Sequence, residues 1–190
     1  YGTTNEERQA VANLMLACGI GVNMNYSSSA SGASDIYVCG LLTNHLGYDK
    51  SAGYLMRDYF SADDWDDIVY GELAAGRPVL YCGQSNAGGH AFVCDGYRSD
   101  GYYHINWGWD GMSDGFFLLS VLDPYNQGTG GSGDGSGFNF NQSITIGIRP
   151  STGAEADRFI PLYARAGMVW NPTEEFFMFG TSNMGAYSYS

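Results

Sequence analysis

Basic residues and long apolar runs are both scarce in this sequence of 190 residues. Eight lysines and arginines stand against twenty aspartates and glutamates, which gives a formal net charge of −12. A surface of that sign repels phosphate backbones and anionic lipid headgroups, so we exclude nucleic acid as a partner. No apolar run approaches the roughly 20 residues that a membrane-spanning helix needs, so we expect no membrane span.

The sequence also lacks any CxxC pair among its four cysteines, Cys18, Cys39, Cys82 and Cys94. This spacing argues against a zinc knuckle, and we expect neither a metal nor an organic cofactor. Two disulfides are possible in an oxidising compartment. Each cysteine lies in an apolar segment, however, which favours buried free thiols.

A basic n-region followed by an apolar stretch is missing from the first residues, which are polar and acidic. We therefore interpret the N-terminus as a processing or cleavage point. The low lysine content and the abundance of Tyr, Gly, Ser and Asn favour a secreted, extracellular protein.

Hydrophobic residues make up 44% of the chain and charged residues 15%, so the chain can bury a core. Three capping signals predict helices. Thr4 to Glu7 has the form of a capping box and opens a helix that Gly19 ends. Asp35 is predicted to cap a second helix through residue 46, and Ser61 a third with Trp65, Ile68, Val69 and Leu73 on one face.

A period of two then predicts strands over residues 79–83, 89–97, 102–106, 115–119 and 143–148, with residues 89–106 forming a hairpin. Residues 126–137 form a long Gly-rich loop. The expected class is α+β, with helices followed by an antiparallel sheet. We predict a domain over residues 1–150 and, over 151–190, a linker and the start of a second β-rich unit with strands at 159–163 and 175–179.

The most informative segment is the run GGHAFVCDG at residues 88–96. His90 follows Gly88 and Gly89 at the head of an apolar strand, where the missing Cβ atoms let a substrate backbone approach closely. Imidazole is suited to general base catalysis near neutral pH. From this segment alone, a solvated loop histidine explains the pattern equally well.

The second segment is NWGWDG at residues 106–111, which ends the partner strand of the same hairpin. One turn can bring Asn106 and Trp107 beside His90. An amide oxygen can accept the imidazole N–H and fix its tautomer, while a tryptophan shields that bond from water. By itself the segment is more typical of two core tryptophans.

Together the GGHAFV and YYHINWGW segments closely resemble the streptopain-like cysteine proteases, within the broader papain-like fold. The resemblance covers about residues 5–150, including the Ser/Gly loop after residue 26 and the glycine-rich segment 128–137. It implies an extracellular endopeptidase made as a zymogen, which cleaves protein or peptide substrates through a thioester. It also implies a preference for a hydrophobic residue two positions before the cleaved bond.

The resemblance assigns catalytic roles to His90, Asn106 and Trp107. It places Ser31, Gly32, Gly88 and Gly89 at the substrate cleft and makes residues 128–137 a mobile loop beside it. The family's nucleophilic cysteine and oxyanion-hole glutamine belong to a segment that precedes these residues, and none of the four cysteines matches that position.

We therefore expect the nucleophile on a separate N-terminal chain of a processed two-chain enzyme. The alternatives are a catalytically inert fragment, or an extracellular binding or adhesion module that uses exposed Trp and Tyr. The aromatic tail at 151–190 could serve inhibition or assembly. For His45 and His104 a structural role is the better interpretation. Four aspartates in Gly-rich loops lack the spacing of a calcium-binding loop, so we interpret them as solvated carboxylates: Asp110, Asp114, Asp123 and Asp134.

Overall fold

The computed structural model describes residues 4–29, 31–125, 137–153, 167–171, 175–179 and 187–188. Three helices lie in these ranges: α1 (Asn5–Gly21), α2 (Tyr37–His45) and α3 (Ala62–Ala74). The strands are β1 (Gly53–Met56), β2 (Val79–Ser85), β3 (Gly88–Tyr97), β4 (Tyr103–Asn106), β5 (Gly115–Phe117), β6 (Phe140–Ile146), β7 (Gly167–Asn171), β8 (Glu175–Phe179) and β9 (Tyr187–Ser188). The predicted α+β class is confirmed.

Helix α1 begins at the predicted capping box. The Glu7 N–H donates to Thr4 Oγ1 at 3.2 Å, and the Thr4 N–H donates to Glu7 Oε2 at 3.0 Å. The prediction that Gly19 ends this helix is wrong, because α1 continues to Gly21. Gly19 is a packing position instead: a Cβ there would lie 1.8 Å from the Tyr26 hydroxyl oxygen.

The apolar side of α1 has no cover among the described residues. Leu14 and Met15 are 58% and 68% exposed, and Gly19 alone in this helix is buried. The other large exposed apolar side chains of the helix are Val11, Leu16 and Ile20. Apolar surface of this extent in one helix is typical of an interface.

Helix α2 departs from its prediction at the N-terminal end. Its N-cap is Ile36, without a side-chain cap, so the assignment of Asp35 as the cap is wrong. The Asp35 carboxylate instead accepts a short hydrogen bond from Ser143 Oγ in β6. The Asp35 carboxylate is thus engaged by a residue 108 positions away in sequence, through a part-buried contact, and not by the first turn of α2.

Helix α3 and β2 form the centre of the core. Ser61 caps α3 as predicted, accepting from the Asp64 N–H at 3.1 Å. Trp65 is 1% exposed, and its indole N–H donates to the Tyr81 hydroxyl at 2.7 Å. Tyr81 in turn donates to Gln142 Oε1 at 2.9 Å, so one buried hydroxyl connects α3, β2 and β6.

The strands form one antiparallel sheet in the order β5-β4-β3-β2-β6-β1-β7-β8-β9. Strand β1 was not predicted, since its four residues carry no strong alternation. It lies between α2 and α3 in sequence and pairs with β6, so the expected order of helices followed by a sheet is only approximate.

The C-terminal part of the sheet confirms one of the two strands predicted after residue 150. Strand β8 matches residues 175–179, and β7 joins β1 through the pair Tyr54 and Trp170. The predicted strand at 159–163 lies outside the described residues, as does almost all of the loop at 126–137. The division into two units at residue 150 stays a prediction.

Candidate active site

The candidate site is built on the predicted hairpin of β3 and β4. Strand β3 pairs with β2 so that His90 lies opposite Gly83, and with β4 so that Val93 lies opposite Asn106. Asn106 is therefore three residues along β3 from His90. Asn106 is the last residue of β4, so of the NWGWDG segment only the residues after this strand can contact His90.

The residue that reaches His90 is Trp107, through its backbone. His90 Nε2 lies 2.8 Å from the Trp107 carbonyl oxygen. A carbonyl can only accept, so Nε2 carries the proton in this hydrogen bond. In the neutral ring the proton on Nε2 leaves Nδ1 as the basic nitrogen, which is the state that a general base requires.

Asn106 acts on the turn and not on the imidazole. Its Oδ1 accepts from the Gly108 N–H at 2.9 Å, and its side chain is exposed. Gly108 has a φ of +77°, a conformation that favours glycine. The prediction that the Asn106 amide accepts the imidazole N–H does not match this geometry, in which Asn106 supports the turn that presents the Trp107 carbonyl.

A second hydrogen bond holds the same turn from the other side. The Trp107 N–H donates to Asp114 Oδ1 at 2.9 Å. The Trp107 side chain is fully buried, and its ring lies 4.6 Å from Phe92 and 5.4 Å from Phe117. The carbonyl that orients His90 is thus carried by an anchored residue.

Aromatic rings surround the imidazole of His90. The Trp109 ring stacks on it at a centroid distance of 4.8 Å with an interplanar angle of 27°. Phe138 lies at 5.4 Å and Trp107 at 6.4 Å. These rings limit water around the Nε2 bond and present an aromatic face to a protonated imidazole. Sequence reasoning gave no separate role to Trp109 or Phe138.

His90 lines an open groove with a volume of about 830 Å³. One wall comes from the segment between α1 and α2, and the other from the four neighbouring inner strands β3, β2, β6 and β1. Of the predicted substrate-binding residues, Ser31, Gly32 and Gly89 line this groove. Gly88 does not; it is the first residue of β3, directly after the turn at residues 86–87, and has a φ of +137°.

Cys39, Cys82 and Cys94 lack the surroundings of a catalytic nucleophile, and Cys18 lies in α1, outside the residues that line the groove. All four are free thiols, as the sequence favoured. Burial raises the pKa of Cys39 to about 12, and burial also raises the pKa of Cys82 and Cys94 far above the ordinary value. Cys82 lines the groove, where the Asp35 carboxylate raises its pKa further. A thiol held in its protonated form is a poor nucleophile.

The other histidines stand apart from this site. His104 pairs through Nδ1 with the Asp95 carboxylate and packs against Phe116 at a centroid distance of 5.2 Å. His45 lies in the last turn of α2. Within the described ranges no group of three or more His, Cys, Asp or Glu side chains could hold a metal ion, and no helix is both long and apolar enough to cross a bilayer.

Comparisons with known proteins agree on one family. The family model for the peptidase C10 family matches residues 1–117. The thiol protease/hemagglutinin PrtT of Porphyromonas gingivalis is 40% identical over 178 residues, which are 92% of this chain and 20% of that protein. Streptopain of Streptococcus pyogenes is 42% identical over 147 residues, which are 77% of this chain and 36% of that protein.

Solved structures give the same picture. The active wild-type interpain A cysteine protease of Prevotella intermedia superposes with a TM-score of 0.65 at 34% identity, covering 77% of this chain and 59% of that chain. A prointerpain A fragment gives a TM-score of 0.64 at 34% identity, covering 80% and 45%. The present chain therefore has an α+β protease fold, and it spans about a fifth and about a third of the two curated relatives.

Proposed function

The chain belongs to the peptidase C10 family, and we propose that it is the histidine-bearing part of a cysteine endopeptidase. The nucleophilic cysteine is supplied by a segment that precedes this chain in the family's enzymes. The observation that carries the proposal is the His90 imidazole, held by the Trp107 carbonyl at 2.8 Å and stacked on Trp109 at the wall of an open groove.

This geometry supports a general base. With Nε2–H committed to the Trp107 carbonyl, Nδ1 takes the proton of the incoming thiol. The thiolate attacks the peptide carbonyl, and the His90 imidazolium then protonates the leaving amine as the thioester forms. His90 afterwards deprotonates the water that hydrolyses the thioester. Trp107 positions the base through its carbonyl, and Asn106 positions Trp107.

The groove and α1 support the proposal that a further segment completes the enzyme. Cys82 is the one cysteine among the described residues that lines the groove, and its raised pKa keeps the thiol protonated. The uncovered apolar side chains of α1 offer a second surface to the same partner, because Val22 and Met24, which follow α1, line the groove. Burying the remaining exposed surface of Leu14, which is 58% exposed, contributes about 1–2 kcal/mol on association.

Substrate binding is proposed along the same groove. Gly89 precedes His90 and lines the groove, so an extended peptide could approach the β3 backbone there. Ser31 and Gly32 face it from the opposite wall. Gly88 would act on the turn and not on the peptide. The proposed substrate-binding residues are therefore Gly89, Ser31 and Gly32.

Cleavage between the two segments and secretion are also proposed. A groove and an apolar helix face of this extent would hold the two chains together after cleavage. Cys39 and Cys94 are buried free thiols with raised pKa values, so they would resist oxidation outside the cell. Fractionation of the producing cells would test secretion: detection of the protein only inside the cells would contradict it.

An active-site labelling experiment tests the function. The protein would be produced with its preceding segment, treated with an epoxide inhibitor of cysteine proteases, and analysed by intact mass spectrometry and peptide mapping. We expect one inhibitor adduct on a cysteine of the preceding segment and none on this chain, together with hydrolysis of an unfolded protein substrate.

The matched control is His90→Asn, which keeps a polar side chain but removes the base. We expect this variant to bind the preceding segment and to lose both labelling and hydrolysis. Association of the two segments without labelling or hydrolysis in the unmodified protein would contradict the proposal. It would favour an inert fragment or a binding module.

A further inference from the structure

Gln84 and Asn141 form a pair of side-chain amides beside the candidate base. Asn141 Nδ2 donates to Gln84 Oε1 at 2.9 Å, across the neighbouring strands β6 and β2. Both residues line the groove together with Gly89 and His90. No step of the proposed reaction uses them.

Backbone geometry holds this pair in place. Gln84 lies directly opposite Gly89 in the β2–β3 register, and a Cβ on Gly89 would lie 3.7 Å from Gln84 Cγ. The Gln84 side chain therefore lies over the backbone of the residue before His90. Asn141 has a φ of +46°, and the register of β2 against β6 shifts between Cys82 and Gln84. A bulge of this kind re-aims the side chains next to it.

The pair still has hydrogen-bonding capacity. After the bond between them, Gln84 retains its Nε2 amino group and Asn141 retains its Oδ1. Within the described part of the chain, neither of these two groups makes another hydrogen bond. The groove wall next to Gly89 thus offers one donor group and one acceptor to an occupant.

We propose that the Gln84–Asn141 pair determines specificity by selecting substrates with a carboxamide side chain, Gln or Asn, at the position that lies over Gly89. A carboxamide has one acceptor and one donor group, which match the Gln84 amino group and the Asn141 oxygen. This inference rests on the proposed function and deepens it. It departs from the hydrophobic preference that the family resemblance implies.

The physical reason is the penalty for covering polar groups without a partner. An aliphatic substrate side chain at this position would displace water from both amides and return no hydrogen bond. Leaving a donor or acceptor unpaired on burial is costly, and sites built to bond a polar group reject analogues that lack it. The paired amides thus disfavour leucine more strongly than they favour glutamine.

The test uses the enzyme assembled from this chain and its preceding segment. Pairs of fluorogenic peptides would differ only by Gln or Leu at each position flanking the cleaved bond. At one position we expect kcat/KM to be about tenfold higher for Gln in the unmodified enzyme. In Gln84→Leu, which keeps a similar size and removes the amide, that ratio should fall to one or below. The other positions should be unchanged.

Two further variants sharpen the result. Asn141→Gly preserves the left-handed backbone and removes the partner amide, so the ratio should be intermediate. Gln9→Leu makes the same chemical change on exposed helix α1, where Gln9 bonds Asn13, and should leave the ratio unchanged. A Gln84→Leu enzyme that hydrolyses both peptides with the original ratio would overturn the inference while the proposed function stands.

A binding measurement separates the two proposals. Fluorescence anisotropy with uncleavable labelled peptides of the same sequences reports discrimination without turnover. If the protein hydrolyses nothing but binds the Gln peptide more tightly than the Leu peptide in a Gln84-dependent way, the proposed function fails, and the pair selects carboxamide side chains in a bound peptide and not in a substrate. If Gln84→Leu instead weakens binding of the preceding segment and leaves peptide preference unchanged, Gln84 belongs to that interface and the inference is wrong.

Discussion

His90 and Trp107 are joined by a hydrogen bond of 2.8 Å between an imidazole nitrogen and a backbone carbonyl oxygen. Because the acceptor is main chain, no substitution at Trp107 removes it directly. The orientation of the candidate base therefore depends on the turn through Gly108, and on the contacts from Asn106 and Asp114 that hold that turn.

Replacing the candidate base should abolish hydrolysis by the assembled enzyme. We expect His90→Ala to lower kcat/KM by roughly 10²–10⁴-fold, the range typical of a lost general base. The matched control is His104→Ala, because His104 pairs with Asp95 on another part of the sheet. Steady-state assays should show less than a threefold change for that control. Equal losses in both variants would mean that His90 has no special role.

Asn106→Ala distinguishes a direct role on the imidazole from a role in the turn. The structure predicts the loss of one hydrogen bond to the Gly108 N–H, worth about 0.5–1.5 kcal/mol, so kcat/KM should fall by roughly two- to tenfold. An amide that oriented the base directly would cost far more. A thousandfold loss in the same assay would contradict a role confined to the turn.

Tyr81→Phe should destabilise the fold through the buried chain from Trp65 to Gln142. Removing the hydroxyl leaves the Trp65 indole N–H without its acceptor, at a cost of about 1–3 kcal/mol in the free energy of unfolding. Urea denaturation of the assembled protein would measure this loss. Tyr125→Phe, at a side chain that is 80% exposed, is the control and should change stability by less than about 0.5 kcal/mol.

Thiol reactivity should follow burial. Cys39 has a pKa raised to about 12, so it should resist iodoacetamide at pH 8, as should Cys82 and Cys94. Half-buried Cys18 should react first. Peptide mapping after timed alkylation gives the order, and full modification of all four in denaturant is the control. Rapid alkylation of Cys39 in the folded protein would show that its thiol is accessible to solvent.

The same raised pKa values predict how stability depends on pH. The Cys39 thiol has a pKa of about 12 in the folded state and about 9 in the unfolded state. Its contribution to stability is fully present below the unfolded pKa and is lost as pH rises through the folded pKa. Unfolding midpoints should therefore fall progressively above about pH 9. In Cys39→Ala the unfolding midpoint should decrease less steeply with pH, although this variant is less stable than the unmodified protein at pH 7.

Much of the fold was predictable because its signals are local. The Thr4–Glu7 box and the Ser61 cap act over three residues, and the period of two in residues 79–106 places β2, β3 and β4 close to their observed bounds. Strand β1 escaped prediction because four residues carry too little pattern. Asp35 was wrongly predicted as a helix cap because the local sequence does not show that the fold brings Ser143 against its carboxylate.

The sequence by itself determined the family, the α+β class and the identity of the candidate base, because those depend on residue types at short, recognisable spacings. Only the tertiary structure decided what surrounds that base. It assigned the orienting acceptor to the Trp107 carbonyl, brought Trp109 and Phe138 against the ring, and put the Gln84–Asn141 amides in the same groove. The direction of a carbonyl depends on backbone torsions, and contacts between distant strands depend on register. Neither the backbone torsions nor the strand register can be predicted from the pattern of residue types along the chain.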